Sequence, residues 1–198
     1  MLYESAYISL MIQFMTGAID MYGLKIKVPE NKNIFRDLLK IELSVQTIEF
    51  IFYTWMVSNF NNIQNITPYR YLDWVITTPI MLVTLMAYLD NSREKYKNIY
   101  EYIKENKSFI TEIVVLNSLM LIFGIIGELN YIDYKTGIML GFVPFIYYYK
   151  LIYDKYVKDK DLSKDKKILF WFFFIVWSLY GIVAFLQYEQ KNTSYNIL

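Results

Sequence analysis

Residues 70–79 read RYLDWVITTP, placing an arginine and an aspartate three residues apart inside an otherwise apolar run. Charged side chains are expensive in hydrocarbon, and those that persist there mark functional sites by default. On a helix, Arg70, Asp73, Thr77 and Thr84 fall in one narrow stripe, with Trp74 and Met81 at its flanks. The segment predicts a buried ionic site beside an aromatic wall, suited to a cation.

The surrounding chain has 198 residues, 56% of them hydrophobic and 19% aromatic. A soluble domain of this size has too little interior to hide so much apolar surface. The charges instead collect in short segments between long apolar runs, which is the pattern of an integral membrane protein. A net charge of +1 implies no nucleic-acid partner. Cysteine is absent, which excludes disulfides and thiolate metal sites. Histidine is absent too, which removes the commonest metal ligand and general base. No metal site and no enzymatic machinery are expected.

A spanning helix needs about 20 residues, and six runs qualify as complete spans: about 4–24, 36–60, 68–90, 108–129, 132–154 and 167–188. A seventh begins at about 192 and has barely started at Leu198. The opening MLYES lacks the basic region of a cleavable signal, so the first run reads as a permanent span. The linkers at 25–36, 91–107 and 154–167 hold four, five and six Lys/Arg, while the alternate linkers hold only Lys191. By the positive-inside rule the basic linkers are cytoplasmic and the N-terminus is outside. The expected architecture is all-α, a single transmembrane domain over residues 1–198. The Lys/Asp run 155–167 reads as a solvated loop, because its interleaved acids weaken any phosphoinositide-binding reading.

RYLDWVITTP closely resembles the third-helix signature of microbial (type 1) rhodopsins. These are seven-helix proteins that hold all-trans retinal on a seventh-helix lysine as a protonated Schiff base. Two further motifs follow in the family's order. Met120, Gly124 and Gly127 in LMLIFGIIGEL resemble the fourth-helix residues bordering the chromophore ring. Trp177-Ser178-Leu179-Tyr180 resembles the sixth-helix aromatic motif packed against the polyene. The polar first two helices resemble the rhodopsins of giant viruses that infect algae and other protists, which implies a virus-encoded protein in a host cell membrane.

The resemblance implies that Asp73 is the Schiff-base counterion, with Arg70 and Thr77 supporting it. Arg70, one turn toward the outside, would keep that carboxylate ionised. Thr77 and Thr78 would either donate to it or bond back to their own helix. Trp74, Thr78, Met81, Met120, Gly124, Trp177 and Tyr180 would line the retinal pocket. Asn117 and Ser118 read as pocket or interhelical hydrogen-bonding groups. The sequence departs from many relatives at Gly181, where they carry proline, and at Ala184, where they carry a further aromatic. Both departures imply a looser sixth helix and far pocket wall.

Thr84 stands eleven residues after the counterion, where proton pumps of the family place a donor carboxylate. A threonine hydroxyl cannot deliver a proton at physiological pH. On the first span Ser9, Gln13, Thr16 and Asp20 recur on one stripe, and on the second Glu42, Gln46 and Glu49 do so. A carboxylate at mid-bilayer costs at least about 2.5 kcal/mol, so two on one face suggest a hydrated cation path. Ser9, Gln13, Glu42, Gln46 and Glu49 are the residues expected to form it. The competing reading is that Gln46 and Glu49 only bond neighbouring helices, with Glu42 near the interface. On the pathway reading, neutralising Glu42 or Glu49 alters cation current far more than visible absorption.

The lysine that would carry retinal is not in residues 1–198. It belongs two to three turns inside the seventh helix, beyond Leu198, with an aspartate or similar residue one turn before it. The expected function is a light-gated channel for monovalent cations or protons. The alternatives are a weak outward proton pump for want of a donor at Thr84, or a sensory photoreceptor. The expected partners are retinal and the lipid bilayer, and a homo-oligomer is compatible with the family.

Overall fold

A computed structural model describes residues 2–27, 29, 33–59, 67–90, 95–158 and 161–190. The described elements are helical throughout: α1 (Leu2–Gly23), α2 (Asn33–Asn59), α3 (Thr67–Leu89), α4 (Ile99–Glu105), α5 (Lys107–Glu128), α6 (Tyr134–Ile152) and α7 (Lys164–Gln190). A π-helical turn, Tyr153–Val157, continues α6. The expected seventh span, from about 192, lies outside the described residues.

The long helices pack as neighbours in chain order, and α3 touches α2, α5 and α7. That central place buries the charged stripe of α3, where Arg70 is 4% and Asp73 6% exposed. Apolar side chains such as Phe14, Leu72, Val115, Val143 and Ile175 point outward. Pro68–Leu89, Lys107–Glu128 and Lys164–Leu186 are each long and apolar enough to cross a membrane. The α2 helix carries Arg36, Asp37, Lys40, Glu42 and Glu49 among its apolar residues. Arg36 donates to Ile26 O at 3.1 Å and Asp37 accepts from Ile99 N–H at 3.3 Å, while Lys40 is exposed.

The α5–α6 hairpin is fixed by backbone chemistry. Asn130 adopts the left-handed conformation (φ 59°) that ends α5, a state asparagine reaches more readily than most residues. Its N–H donates to Gly127 O at 3.0 Å, and Tyr131 N–H donates to Ile126 O at 2.9 Å. These two bonds form a Schellman cap. Asp133 Oδ2 then accepts from Thr136 N–H at 3.0 Å and starts α6. The turn brings Gly127 against Gly137, and a Cβ on Gly137 would lie 2.9 Å from Gly127 Cα and from Phe123 O. Only glycine permits this backbone approach, as in other close crossings of membrane helices.

The dense core occupies the half of the bundle nearest the basic linkers: Ile34, Leu38, Leu82, Leu85, Met86, Leu89, Ile110, Ile113, Tyr148, Tyr149 and Ile152. The short α4 closes that end. Asn98 Oδ1 caps it by accepting from Glu101 N–H at 3.0 Å, and Ile99 N–H reaches Asp37 Oδ2 of α2 at 3.3 Å. The Tyr102 and Tyr156 hydroxyls pair at 2.9 Å. Burial keeps both protonated, pushing Tyr156 up to about 12. Lys166, only 5% exposed, donates from Nζ to Leu89 O at 3.0 Å and Asp90 O at 3.4 Å. An α7 ammonium thus caps the negative end of α3.

Candidate functional site

At the middle of the bundle a cavity of about 350 Å³ opens between α2, α3, α5, α6 and α7. That volume lies in the range of small-molecule pockets, roughly 300–1,000 Å³. Trp74, Thr78, Met81, Met120, Gly124, Trp177 and Tyr180 all line it. The structure therefore brings together on one surface six residues drawn from three separate sequence motifs, and Met81 from the flank of the first.

The α3 residues reach the cavity through helical periodicity: Trp74, Thr77, Thr78 and Met81 are spaced as one face. Trp74 meets Tyr180 of α7 edge-on, with centroids 5.6 Å apart, and Tyr71 at 5.1 Å. A Cβ on Gly124 would lie 2.5 Å from the Tyr71 hydroxyl, so glycine at 124 leaves room for the tyrosine behind Trp74. Both threonine hydroxyls bond back to the helix, Thr77 to Asp73 O at 3.0 Å and Thr78 to Trp74 O at 2.7 Å. Thr78 also accepts from Asn117 Nδ2 at 2.8 Å, which ties α3 to α5 at the cavity rim. Ser118 bonds back to Val114 O.

Arg70 and Asp73 are buried, 4% and 6% exposed, two turns and one turn respectively before Thr77 on the same stripe. They lie beside the lining, which begins at Tyr71 and Trp74. Asp73 Oδ1 is buried and meets no hydrogen-bond partner among the described residues. A buried carboxylate oxygen of this kind calls for a donor or a cation. The carboxylate in the lining itself is Glu49 of α2, near enough to Asp73 and Glu42 for their charges to act on it.

The other polar groups of the first two helices lie elsewhere. Gln46 donates from Nε2 to Asp20 Oδ2, joining α2 to α1. For Gln46, interhelical bonding is thus what the structure shows. Ser9, Gln13 and Asp20 are half-buried along α1, whereas Thr16 is exposed and bonds back to Ile12 O and Gln13 O. Glu42 is half-buried two turns from Glu49.

Sequence reasoning named no wall on α6, yet Gly137, Ile138, Gly141, Phe142 and Phe145 supply one. The glycines at 137 and 141, one turn apart, were the available signal. The far wall also differs from its expected looseness. Gly181 lies against the Phe142 ring, where a Cβ would come within 2.5 Å of Cζ, so Phe142 fills the space a larger residue would take. Ala184 is buried at 4% exposure, and α7 runs unbroken through both positions.

Comparison with known proteins agrees with this geometry. No curated protein matches the chain significantly. Among solved structures, viral rhodopsin OLPVRII is similar at 24% identity and a TM-score of 0.79, over 99% of this chain and 88% of that one. The thermophilic rhodopsin from Rubrobacter xylanophilus is similar at 20% identity and a TM-score of 0.68, over 92% and 79%. A blue light-absorbing proteorhodopsin from Med12 is similar at 18% and 0.71, over 99% and 85%. At these identities the likeness establishes the fold, a bundle of membrane-spanning helices. The bacteriorhodopsin-like protein family matches residues 3–197, and the chain belongs to that family.

Proposed function

We propose that this chain forms the retinal site of a virus-encoded, light-gated cation channel in a host cell membrane. The observation that carries the retinal reading is the shared cavity surface of Trp74, Thr78, Met81, Met120, Gly124, Trp177 and Tyr180, with the unpartnered Asp73 Oδ1 beside it. The residues fit the group: a long apolar ligand with a cationic end needs aromatic walls and an acid at one end. Bound retinal supplies light absorption and a change of shape on isomerisation.

The chain's own residues do the rest. Trp74, Trp177 and Tyr180 hold the ligand between flat faces and exclude water. Asp73 Oδ1 balances the cationic end and is the atom placed to accept a proton. Arg70, buried on the same α3 stripe, sets a positive charge near that carboxylate. Glu49 adds a second acid at the same cavity. None of the lining residues is a lysine. The channel reading is supported by Thr84, which bonds to Met81 O at 2.9 Å and is no proton donor. Cations would pass beside Ser9, Gln13, Glu42 and Glu49, and the Gln46–Asp20 bond would have to part for them.

The test expresses the full reading frame with all-trans retinal. A visible band that Asp73→Asn displaces supports the retinal site, and its absence from the wild type refutes it. Under voltage clamp, a photocurrent that reverses with the cation gradient supports the channel. A one-directional current that persists against the gradient establishes the pump instead.

A further inference from the structure

The short helix α4 lies where the hydrocarbon ends. Its last residue, Glu105, stands two residues before Lys107–Glu128, a segment long and apolar enough to cross a membrane. At about 1.5 Å per helical residue, Ile103 is about 6 Å from the start of that span. The headgroup layer flanking the hydrocarbon is about 5–8 Å deep. The other end of α4 is pinned at a similar level, since Ile99 N–H donates to Asp37 Oδ2 near the start of α2. In between, the buried Tyr102 pairs with Tyr156 in the π-helical turn after α6. Held in this way, α4 runs along the basic end of the bundle instead of away from it.

At about 100° per residue, Ile103 and Lys104 lie within about 60° of Tyr100, while Tyr102 is turned about 160° from it. Tyr100 is 70% and Ile103 36% exposed, and Lys104 and Lys107 are exposed beside them. The acids of α4 are engaged elsewhere: Glu105 pairs with Lys95 at 3.4 Å, and Glu101 accepts from Lys97 N–H at 2.9 Å. Lys104 and Lys107 have no acid partner among the described residues. Lysine is depleted from the cores of protein–protein interfaces, whereas helices lying in a membrane surface carry it on the polar face. We infer that α4 is an in-plane interfacial helix whose outer face binds anionic phospholipid headgroups. Tyr100 and Ile103 settle among the groups below the phosphates, and Lys104 and Lys107 meet the phosphates themselves. The positive-inside assignment puts this face at the cytoplasmic leaflet, which carries the anionic lipids. This inference is independent of the retinal and channel readings.

The test uses the full chain in nanodiscs of phosphatidylcholine, alone or mixed with phosphatidylglycerol. Residues 1–198 contain no cysteine, so Tyr100→Cys can carry a fluorescent label at that position. The label should be quenched more by lipid spin-labelled at its headgroup than by a dissolved nitroxide. A label that the dissolved nitroxide reaches and the lipid one does not would mark the face as open to water or to a protein partner, and would overturn the inference. In the unlabelled protein, phosphatidylglycerol should slow amide exchange in α4 about fivefold or more, the attraction of one lysine to an anionic surface. Lys104→Gln/Lys107→Gln should lose that slowing, while Lys158→Gln, in the next basic linker, should keep it. Slowing that survives the double replacement, or none in the wild type, would equally overturn the inference.

Discussion

Replacing Gly137 with alanine tests whether the α5–α6 crossing is set by backbone contact. The added Cβ would sit 2.9 Å from Gly127 Cα and 2.9 Å from Phe123 O. Carbon atoms rest at about 3.5–4.0 Å, so the helices must part by roughly 0.6 Å or more at this point. Both obstacles are backbone and cannot rotate aside. Overpacking costs about 1–3 kcal/mol, and two rigid contacts place Gly137→Ala near the top, at about 3 kcal/mol. At about 2–4 °C per kcal/mol for a chain of this size, the melting midpoint should fall by roughly 6–12 °C. Gly141→Ala is the internal control, because its nearest obstacle is one atom, Met120 O at 3.3 Å. Its loss should be about 1 kcal/mol or less, or roughly 2–4 °C. Thermal unfolding of the three proteins in the same micelle reads both numbers. A Gly137→Ala midpoint within about 2 °C of the wild type, or a larger loss for Gly141→Ala, would refute the reasoning, since the same close approach predicts both size and order.

Three more outcomes follow from named contacts. Glu49 lines the cavity and Glu42 does not, so Glu49→Gln should move the visible band to longer wavelength while Glu42→Gln leaves it in place. Equal shifts, or none, would return Glu49 to the α1–α2 face. The Asn117–Thr78 bond at 2.8 Å should appear in a double-mutant cycle of Asn117→Ala and Thr78→Ala as a coupling of about 0.5–1.5 kcal/mol; additive losses would deny it. Lys166→Met keeps the aliphatic stem but strips the ammonium from Leu89 O and Asp90 O. It should cost about 1–3 kcal/mol and speed amide exchange in the last turn of α3, and unchanged exchange would show that the cap does not hold that end.

The α3 stripe was legible in the sequence because an arginine and an aspartate in hydrocarbon have few explanations, and their spacing alone sets the face. The short α4 was read as part of a linker, since seven residues, IYEYIKE, are too few for a periodic signal. Its Asn98 cap and Glu101 were nonetheless present to be read. The α6 wall left little trace, because glycines and aromatic residues on an apolar helix look the same whether they face lipid or a cavity.

The α2 stripe shows most clearly what spacing can and cannot say. At about 100° per residue, Glu42 and Glu49 differ by roughly 20° around the axis, so they share a line. Gln46 is turned about 40° from Glu42 and about 60° from Glu49. That angle is enough to separate two seams of the same helix. Gln46 falls in the α1 seam and bonds Asp20, while Glu49 falls at the cavity beside Trp74 and Tyr180. The sequence showed polar residues on one side of α2, but which neighbour each one meets depends on where α1 and α3 pack against it, and no local pattern encodes that. A cation passing along this helix would therefore meet an amide tethered across to α1 and then an acid that also faces the ligand cavity. On the proposed channel reading, opening the path and changing the electrostatics of the cavity would be linked through Glu49.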